Sequence, residues 1–404
     1  MKNCCVIGLG YIGLPTALLI AKSGLQVCGV DINKNVIDSL NSGEIHIVET
    51  GLSSLLEEVT LAGSFKASTI PSEADVYILA VPTPFIKKDA EVPEPDISFV
   101  LNAIKSISPF LKKNNLVILE STCPVGTTEI IEQEIISNTK YIKGEINVAY
   151  CPERVLPGNI LYELVHNDRV IGGLNKKSSN ITKEFYSYFC KGNFYLTEAK
   201  VAELVKLTEN SFRDVNIAFA NEMSLICDEY NINVYELINL CNQHPRVNIL
   251  NPGCGVGGHC IAVDPWFVVS RNPKSSNLIK MGRKVNLSKT DFVIEKVIQK
   301  AIELETYLKR KPKIACLGLT FKPDIDDVRE SPSMLITKKL IDRGLMIYPC
   351  DPYVSNDIKI NNYSIEFIKN NIDFYVILVG HSHFKTLNVF DNNYLDFCGL
   401  LFQK

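Results

Sequence analysis

The chain has 404 residues, of which 46% are hydrophobic and 22% are charged, and its formal net charge is −3. This length predicts about two to three domains. The composition is that of a globular protein, which excludes disorder, collagen and coiled-coil arrays as the main architecture. The nearly balanced charge provides no basic field for nucleic acid or for an anionic membrane surface.

The chain contains 13 cysteines, which are scattered from Cys4 to Cys398 without paired short spacings. A chain of this size does not need disulfide bonds, so we interpret these residues as thiols in a reducing cytoplasm. Glycines interrupt the apolar run that follows Lys2, unlike the run of a signal peptide, and no unbroken run reaches the ~18 residues of a membrane helix. We therefore expect a cytoplasmic protein without a membrane segment.

The first 150 residues alternate short apolar runs with amphipathic segments. The apolar runs, which predict buried strands, are residues 4–8, 26–31, 76–81 and 116–119. Residues 17–23 and 97–112 lie between them and predict helices. Strands that alternate with helices form parallel sheets, so this region predicts an α/β domain.

The middle of the chain has a different pattern. Apolar residues recur at helical spacing from Glu198 onward over about 30 residues, which is much longer than an average helix. A second helical pattern covers residues 286–308. Residues 242–264 separate the two and are rich in Gly, Asn and Pro, which predicts a loop.

The strand and helix alternation returns after residue 312. Strands are predicted at residues 313–318, 345–350 and 374–379, with a helix at residues 333–343. The segments at 345–351 and 374–379 correspond in order to those at 25–31 and 76–81. This order predicts two related α/β domains, one at each end of the chain.

A glycine-rich turn separates the first predicted strand from the first predicted helix. Residues 8–13 read Gly-Leu-Gly-Tyr-Ile-Gly. Gly8 allows a tight turn, Gly10 lets a pyrophosphate approach the backbone, and Gly13 lets the helix pack on the strand. The N-terminus of the helix offers N–H groups to phosphates, which adds Tyr11 and Ile12 to the predicted cofactor site.

Two further residues stand where such sheets bind nucleotides. Asp31 ends the second strand, where its carboxylate would bind the ribose hydroxyls and repel a 2′-phosphate, which predicts NAD rather than NADP. Thr83 follows the next strand at the ligand-binding edge and could contact the cofactor or cap a turn. The motif alone could be an ordinary glycine turn, but strand, helix and Asp31 together favour dinucleotide binding.

The fold prediction combines these patterns. We expect an α/β protein in which two Rossmann-like parallel-sheet domains are joined by a central helical domain. The predicted boundaries are residues 1–198 for the NAD-binding domain, 199–308 for the helical domain and 309–404 for the C-terminal domain.

The long central helix carries a polar stripe. Lys206, Asn210 and Arg213 stand at positions i, i+4 and i+7, so they share one face of the helix. This stripe indicates either the lining of a site or an ordinary solvated face.

The loop at residues 251–260 is the most unusual segment. Its glycines let the backbone pass close to a ligand, Cys260 ends it, and Asp264 follows. A single cysteine is usually a small buried hydrophobe, whereas a thiol beside a nicotinamide site is a candidate nucleophile. The spacing of Cys254, His259 and Cys260 matches no usual zinc pattern, so no metal is predicted.

Several long segments together resemble one family. They are VIGLGYIGLP at residue 6, ESTCPVGTTE at 120, AYCPERVLPG at 149, KLTENSFRDVNIAFANE at 206, HPRVNILNPGCGVGGHCIAVDPW at 244 and GLTFKPDIDDVRESP at 318. This set, in this order and over nearly the whole chain, resembles the UDP-glucose/GDP-mannose dehydrogenase family. Within that family, CPERVLPG, RDVNIAFANE and HPRVNIL most resemble the members that oxidise UDP-N-acetyl-D-mannosamine.

The resemblance implies a four-electron oxidation of the primary alcohol of a UDP-sugar to a carboxylate, with two NAD consumed. In this chemistry Cys260 is the nucleophile, and Lys206 is an acid/base or stabilises the oxyanion. Asn210 holds a water or the oxyanion, Asp264 assists proton transfer, and Glu153 lies near the reacting carbon. A two-electron dehydrogenase needs no cysteine, whereas a covalent thiohemiacetal is a good hydride donor for the second oxidation.

The resemblance also implies binding residues. The implied substrate contacts are Arg154, Val155, Lys206, Asn210, Arg213, His244, Arg246, Gly257 and Lys322. Thr122 and Arg329 match cofactor contacts. The resemblance further implies a homodimer in which Arg246 reaches the neighbouring subunit's substrate, whereas an exposed loop arginine is the simpler alternative. Cys398 stands where relatives usually carry a basic residue, which leaves one contact without a counterpart.

Other interpretations remain open at this point. The same chemistry could act on UDP-N-acetylglucosamine or UDP-glucose, because these sugars differ little. A two-electron 3-hydroxyacid dehydrogenase would share the nucleotide domain and the helical lysine but would not need Cys260 or the third domain. A non-catalytic nucleotide-binding protein would give no reason for the Cys260 loop.

Overall fold

A computed structural model describes residues 1–47, 49–86, 90–155, 158–354, 360–387 and 393–402. The chain divides into two compact units, Met1–Thr208 and Glu209–Lys404. None of the described helices is long and apolar enough to cross a membrane.

Within the described residues, the first unit is built on one sheet of eight strands. The strands are β1 (Asn3–Ile7), β2 (Gln26–Val30), β3 (Phe65–Ser68), β4 (Val76–Leu79), β5 (Leu116–Leu119), β6 (Asn147–Tyr150), β7 (Arg169–Gly173) and β8 (Phe194–Glu198). Their order is β3-β2-β1-β4-β5-β6-β7-β8. Neighbouring strands are parallel except β6 and β7. The first part of this order, in which the chain reverses direction across the sheet at β1, is that of a doubly wound fold.

Helices cover both faces of this sheet. They are α1 (Gly13–Lys22), α2 (Lys34–Asn41), α3 (Leu52–Leu61), α4 (Ser98–Ile107), α5 (Thr127–Asn138), α6 (Ile160–His166) and α7 (Lys176–Tyr186). One buried apolar cluster contains Val6, Leu14 and Val27, and a second contains Cys5, Ile104 and Val117. Side chains alternate between the faces of a strand, so β1 contributes to both clusters.

The strands predicted in the first 150 residues are confirmed, because β1, β2, β4 and β5 occupy the four apolar runs. The segment predicted as a helix at residues 97–112 forms α4 and then a short 3₁₀ turn, Ser108–Phe110. Pro109 in this turn has no N–H to continue the helical hydrogen bonding, which explains the earlier end of the helix.

The remaining elements lead from the first unit through the second. The helices are α8 (Ala199–Glu229), α9 (Val234–Cys241), α10 (Asp264–Arg271), α11 (Asn277–Leu308), α12 (Pro332–Asp342) and α13 (Ile365–Asn371). The strands are β9 (Lys313–Leu317), β10 (Met346–Cys350), β11 (Phe374–Ile377) and β12 (Tyr394–Asp396), in the parallel order β10-β9-β11-β12. Helix α8 begins in the first unit and continues into the second.

Two long helices confirm the predicted helical region, but α11 starts at Asn277, nine residues before the predicted 286. Gly282 lies in this early part, where an added Cβ would approach the Val215 side chain of α8 to 3.2 Å. The early turns of α11 therefore pack closely on α8. Gly282 and the polar residues around it interrupt the apolar pattern, so this early part of α11 was not predicted.

The correspondence between the two sheets is confirmed at the level of backbone hydrogen bonds. Gly8 donates its N–H to the carbonyl of Val30 at 2.7 Å, and Gly318 donates to Cys350 at 2.9 Å. Strands β10, β9 and β11 thus repeat the arrangement of β2, β1 and β4. The fold is α/β with two Rossmann-like parallel sheets and a helical region between them in the chain, as predicted.

Candidate active site

The turn after β1 has the geometry that a bound dinucleotide requires. Gly8 has a φ of +94°, and an added Cβ would lie 2.6 Å from the carbonyl oxygen of Ala80. At Gly13 a Cβ would lie 1.8 Å from the carbonyl oxygen of Gly8. At Gly10 a Cβ would meet no atom of the described residues within 4 Å. Gly8 and Gly13 therefore serve the fold, whereas Gly10 leaves open space above the turn.

The start of α1 faces this space. Ile12 is the N-cap residue and makes no side-chain capping hydrogen bond within the described part of the chain. Tyr11 is half-buried and packs against the apolar cluster beneath the turn. An uncapped helix start, with its N–H groups and partial positive charge, suits a pyrophosphate. The residues at the turn fit NAD.

Asp31 lies beside the turn. One carboxylate oxygen accepts a hydrogen bond from the Leu9 N–H at 3.0 Å, and the other accepts from the Asn33 N–H at 2.9 Å. The side chain is half-buried and holds the turn to the end of β2. Each oxygen keeps a further lone pair for a ribose hydroxyl.

The two threonines predicted near the cofactor contact each other. The Thr83 hydroxyl donates to the backbone carbonyl of Thr122 at 2.7 Å. This bond ties the loop after β4 to the loop after β5, at the edge where parallel sheets bind ligands. The structure therefore brings Thr83 and Thr122 together, in the first unit.

Glu153 and Lys206 also belong to the first unit. Burial raises the pKa of Glu153, although the Val155 N–H, at 2.7 Å from the carboxylate, and the charges of Arg169 and Lys206 oppose this. Lys206 is half-buried on α8. The two side chains are thus close enough to interact electrostatically, and Glu153 is poised to take up a proton.

Arg154 and Val155 follow Glu153 in the loop after β6. The guanidinium of Arg154 donates to the backbone carbonyl of Asp168 at 2.5 Å, and Val155 packs against the apolar cluster that contains Val6. Leu156 and Pro157, which continue the quoted motif, lie outside the described residues.

A buried polar cluster that is electrostatically linked to Glu153 was not predicted from the sequence. Glu120 is fully buried and accepts a hydrogen bond from the Tyr186 hydroxyl at 2.6 Å, with Arg169 at 3.9 Å. Burial raises the pKa of Glu120 to about 7 against the opposing charge of Arg169. Glu153 raises it further, so the two carboxyl groups are electrostatically linked.

Glu203 on α8 is the second missed residue. Its carboxylate is buried and accepts hydrogen bonds from the Gly126 and Thr128 N–H groups at 2.6 and 2.7 Å. These are the first free N–H groups of α5, so Glu203 caps that helix. The cap fixes the segment that follows Thr122. No local sequence signal marked Glu203, because its partners Gly126 and Thr128 lie 77 and 75 residues earlier in the chain.

In the second unit, Asn210, Asp264 and Cys260 form a connected group. The Asn210 amide donates to the Asp264 carboxylate at 2.5 Å. The Asp264 N–H donates to the Cys260 carbonyl at 2.8 Å, so the backbone of Cys260 is bonded to the first residue of α10. Cys260 is half-buried, and Asp264 is buried.

Polar residues of α8 and α11 hold the loop that leads to Cys260. The Asn221 side-chain Oδ1 accepts from the Gly253 N–H at 2.9 Å, and the Thr290 hydroxyl donates to the backbone carbonyl of Cys254 at 3.0 Å. Asn221 is held in turn by a hydrogen bond of 2.8 Å to Asn286. These buried bonds fix the backbone of the loop in one position.

The glycines of this loop allow close packing. At Gly257 an added Cβ would lie 2.6 Å from the Glu330 carbonyl oxygen and 2.7 Å from the Phe321 side chain. Gly258 has a φ of +81° and donates its N–H to the Arg329 carbonyl. Gly257 is therefore placed beside the segment that contains Lys322 and Arg329.

The other predicted substrate residues are cationic or aromatic and exposed. Arg213 lies on α8, His244 and Arg246 lie after α9, and Lys322 lies after β9. The Arg246 N–H donates to the His244 ring at 3.3 Å. Arg329 pairs with Asp327, with the nearest atoms 2.6 Å apart. The structure joins His244 to Arg246 but shows no bond from Arg213 to either among the described residues.

The second sheet uses its equivalent carboxylate differently. Asp351, the counterpart of Asp31, accepts from the Leu319 N–H at 2.6 Å and also contacts the His381 ring at 3.0 Å. His381 accepts a hydrogen bond from the Asp324 N–H, so its other nitrogen donates to Asp351. Asp351 is fully buried. The position that would bind ribose is thus occupied by protein, which fits the absence of G-x-G-x-x-G here.

Comparison with known proteins places the chain in a family. Residues 2–190 match the NAD binding domain of the UDP-glucose/GDP-mannose dehydrogenase family, residues 200–288 match its central domain, and residues 315–395 match its UDP binding domain. The chain belongs to the UDP-glucose/GDP-mannose dehydrogenase family. This confirms the expected family and the expected NAD-binding domain.

Individual relatives are similar over nearly their whole length. The chain is 48% identical to the UDP-N-acetyl-D-mannosamine dehydrogenase of Campylobacter jejuni, over 98% of this chain and 99% of that one. It is 45% identical to the NDP-N-acetyl-D-galactosaminuronic acid dehydrogenase of Ralstonia nicotianae, over 96% and 92%. The solved structure of UDP-D-ManNAc dehydrogenase from Pyrococcus horikoshii is 37% identical, with a TM-score of 0.89, over 99% and 96%.

Proposed function

We propose that this protein is an NAD-dependent 6-dehydrogenase that oxidises UDP-N-acetyl-D-mannosamine to UDP-N-acetyl-D-mannosaminuronate, for bacterial surface polysaccharide synthesis. The observation that carries the chemistry is the group formed by Asn210, Asp264 and Cys260, in which Asp264 bonds both the Asn210 amide and the backbone carbonyl of Cys260. The choice of sugar rests on the similarity to the Campylobacter jejuni enzyme and to the Pyrococcus horikoshii structure.

The first oxidation converts the alcohol to an aldehyde. NAD, when bound at the glycine turn, is the hydride acceptor for both oxidations. Lys206 acts as acid/base or stabilises the negative oxygen, and Glu153, whose pKa burial raises, exchanges protons near the reacting carbon.

The second oxidation needs a covalent intermediate. The Cys260 thiolate adds to the aldehyde carbon and gives a thiohemiacetal, whose oxidation leaves a thioester. Water then releases the uronic acid and the thiol. Asn210 holds the oxyanion or the water, and Asp264, which accepts the Asn210 amide, assists proton transfer.

The remaining site residues have binding roles in this proposal. Gly8, Gly10, Tyr11, Ile12, Gly13, Asp31, Thr83, Thr122 and Arg329 bind the cofactor. Arg154, Val155, Lys206, Asn210, Arg213, His244, Arg246, Gly257 and Lys322 bind the UDP-sugar. Arginines suit the diphosphate because their planar guanidinium pairs with two oxygens at once.

The assembly belongs to the same proposal. Phe212, Phe219 and Ile226 on α8 are 70%, 50% and 40% exposed and recur every seven residues, so they form an apolar stripe. A second copy of the chain would cover this stripe, with Arg246 acting on the neighbouring substrate. The proposed domains are residues 1–198, 199–308 and 309–404, with the dimer contact in the middle one.

A cytoplasmic location is also proposed. Free UDP-sugars and NAD are cytoplasmic metabolites, and the 13 cysteines, all within the described residues, form no disulfide there.

The experiment offers NAD with UDP-N-acetylmannosamine, UDP-N-acetylglucosamine, UDP-N-acetylgalactosamine and UDP-glucose, and measures kcat/KM from NADH absorbance. The highest value with UDP-N-acetylmannosamine supports the proposal. The second candidate function is the same oxidation of UDP-N-acetylgalactosamine, which the similarity to the Ralstonia nicotianae relative motivates. The highest value with that sugar would favour this second candidate. Oxidation of a 3-hydroxyacid but of none of these sugars would contradict both.

Cys260→Ala tests the covalent step. The variant should bind NAD as the wild type does, because its glycine turn is unchanged, and it should produce no uronic acid. Cys254→Ala is the matched control, since this buried cysteine lies in the same loop but outside the proposed chemistry. Normal acid formation by Cys260→Ala would remove the nucleophile from the proposal.

A further inference from the structure

Two cysteines of the nucleotide-binding sheet lie side by side. Cys5 on β1 and Cys28 on β2 are register partners in a parallel ladder. Both side chains point to the same face of the sheet, because Cys5 belongs to the apolar cluster of that face and Cys28 packs against it. Neighbouring strands are about 4.8 Å apart, which lies within the Cα separation of a disulfide.

A lysine on the next strand extends the cysteine pair to a row of three side chains. Lys66 on β3 is the register partner of Cys28, so Cys5, Cys28 and Lys66 follow one another across three strands. Lys66 is exposed, and its charge acts on the Cys28 thiol. A lysine beside a thiol stabilises the thiolate, which is the reactive form of cysteine.

The row opens to solvent at Cys28. This residue is half-buried and lines an open cleft of about 470 Å³, together with Lys66, Ser72 and Glu73. Cys5 is fully buried behind it. A small oxidant can therefore reach Cys28, whereas Cys5 is reached only through Cys28.

The surroundings of the two thiols determine which of them ionises first. Bonds with Cys5 and Ser72, together with the charge of Lys66, lower the pKa of Cys28 to about 6 against the opposing effect of burial. The bond with Cys28, and then burial, raise the pKa of Cys5. Cys28 ionises first and Cys5 stays protonated beside it, which is the arrangement of an attacking thiol with a resolving thiol.

We propose that Cys28 and Cys5 form an oxidation site for small hydroperoxides, in which Cys28 is oxidised and Cys5 resolves it as a disulfide between β1 and β2. The Cys28 sulfur attacks hydrogen peroxide, so an S–O bond forms, the O–O bond breaks and one water leaves. The Cys5 sulfur then attacks Cys28, so the S–S bond forms, the S–O bond breaks and a second water leaves. Two thiols lose two electrons in total, and the peroxide is reduced to two waters.

The second sheet provides a control pair. Cys316 on β9 and Cys350 on β10 also lie on neighbouring parallel strands, but their register partners are Pro349 and Leu317. Both are buried, and burial raises the pKa of each to about 12. These thiols should resist the same treatment.

The experiment treats the reduced full-length protein with submillimolar hydrogen peroxide and maps its peptides without reduction. The expected product is a linked peptide pair containing Cys5 and Cys28, lighter by two hydrogens and released by dithiothreitol. Cys4 shares a peptide with Cys5 but points to the opposite face of β1, so Cys4→Ala should keep the link and Cys5→Ala should lose it.

Trapping of the intermediate gives an independent readout. In Cys5→Ala, dimedone should label Cys28, because the sulfenic acid no longer has a resolving thiol. Cys28→Ser should give neither the linked peptide nor the dimedone label. Because Cys28 is only half-buried, this variant tests the proposal even if Cys5→Ala does not fold. A wild type that yields no link, or a link joining Cys316 to Cys350 as readily, would overturn the proposal.

Discussion

Asp31 has two tasks at the end of β2. Its carboxylate holds the Leu9 and Asn33 N–H groups, and in the proposed complex it also binds the ribose. The charge and the hydrogen bonds can be separated by substitution. Asp31→Asn removes the charge and keeps one acceptor oxygen, whereas Asp31→Ala removes both.

We expect Asp31→Asn to raise the kcat/KM for NADP relative to that for NAD, because the repulsion of the 2′-phosphate is lost. Asp31→Ala should show the same relative change together with a lower thermal midpoint, since the turn loses its anchor. The kcat/KM for each cofactor is measured at saturating UDP-sugar, and the thermal midpoint is measured by melting without cofactor. Equal use of NAD and NADP by the wild type would contradict this role of Asp31.

Glu120 predicts a pH dependence of stability. Burial raises its folded-state pKa to about 7, above the ordinary value of about 4.3 in an unfolded chain. Between these values the folded protein binds more protons than the unfolded chain, so the contribution of Glu120 to stability falls as pH rises. The loss should be on the order of 3 kcal/mol by pH 8.

Glu120→Gln removes this titration while keeping an oxygen for Tyr186. The wild type should therefore lose stability relative to the variant as pH rises from 5 to 8, in denaturant titrations. Glu58→Gln is the control, since Glu58 pairs with Lys22 on the surface, where such pairs contribute little. A constant difference between wild type and Glu120→Gln over this pH range would contradict the assignment.

The carboxylates that matter most inside the fold could not be predicted from the sequence. Glu120, Glu203 and Asp351 are each buried, although charged residues are usually exposed. Their partners, Tyr186, the N–H groups of α5 and His381, lie far along the chain. A pattern of neighbouring residues does not contain such pairings. By contrast, the Gly8 turn and Asp31 were predictable because their spacing along one strand–helix–strand unit is fixed.

At the scale of the element, the β1–α1 turn separates stability from cofactor binding. Gly13→Ala should lower the thermal midpoint strongly, because its Cβ would clash with the Gly8 carbonyl. Gly10→Ala should leave the midpoint nearly unchanged, because open space surrounds this position.

The same Gly10→Ala variant should weaken NAD binding by at least about tenfold, because a methyl group would stand where the pyrophosphate approaches. Calorimetric titration measures this change. Ala21→Gly in α1 is the control, because this residue is distant from the turn and NAD affinity should be unchanged. Gly24→Ala does not serve as a control, because the φ of +97° at Gly24 would strain an alanine. Wild-type affinity in Gly10→Ala would place the cofactor elsewhere.

Two strands with a plain apolar signal were predicted, and two strands without one were not. Strands β4 and β5 are fully buried apolar runs, and their positions were predicted. Strand β8 has an exposed and irregular pattern and was missed. Strand β7 carries the buried Arg169 and pairs antiparallel with β6, which no local pattern indicates. Strand β8 at the edge of the sheet and its neighbour β7 depend on contacts made after the chain has folded.

At the scale of the whole molecule, one strand arrangement has two uses. The turn of the first sheet leaves space at Gly10 and offers Asp31 to a ligand. The turn of the second sheet fills the equivalent place with the Asp351–His381 pair. The sequence predicted the repeat. His381, which contacts Asp351 at this place, was not predicted, because it lies after β11 and not in the turn.

The proposed dimer predicts complementation between inactive chains. Cys260→Ala and Arg246→Ala proteins should each be nearly inactive. If Arg246 acts in the neighbouring site, a mixed dimer has one intact site, so random pairing of equal amounts should restore up to about a quarter of the wild-type activity. Heterodimers are verified by two affinity tags. Inactive but verified heterodimers would place Arg246 in its own subunit's site or outside any site.

The central claim is that one chain carries out two successive oxidations of a UDP-sugar through Cys260. The most direct test is the amount of NADH formed when a limiting amount of UDP-N-acetyl-D-mannosamine is consumed completely in excess NAD. We predict two NADH and one uronic acid for each sugar, because the thioester forms only in the second oxidation. One NADH per sugar, with the aldehyde as the product, would contradict the account.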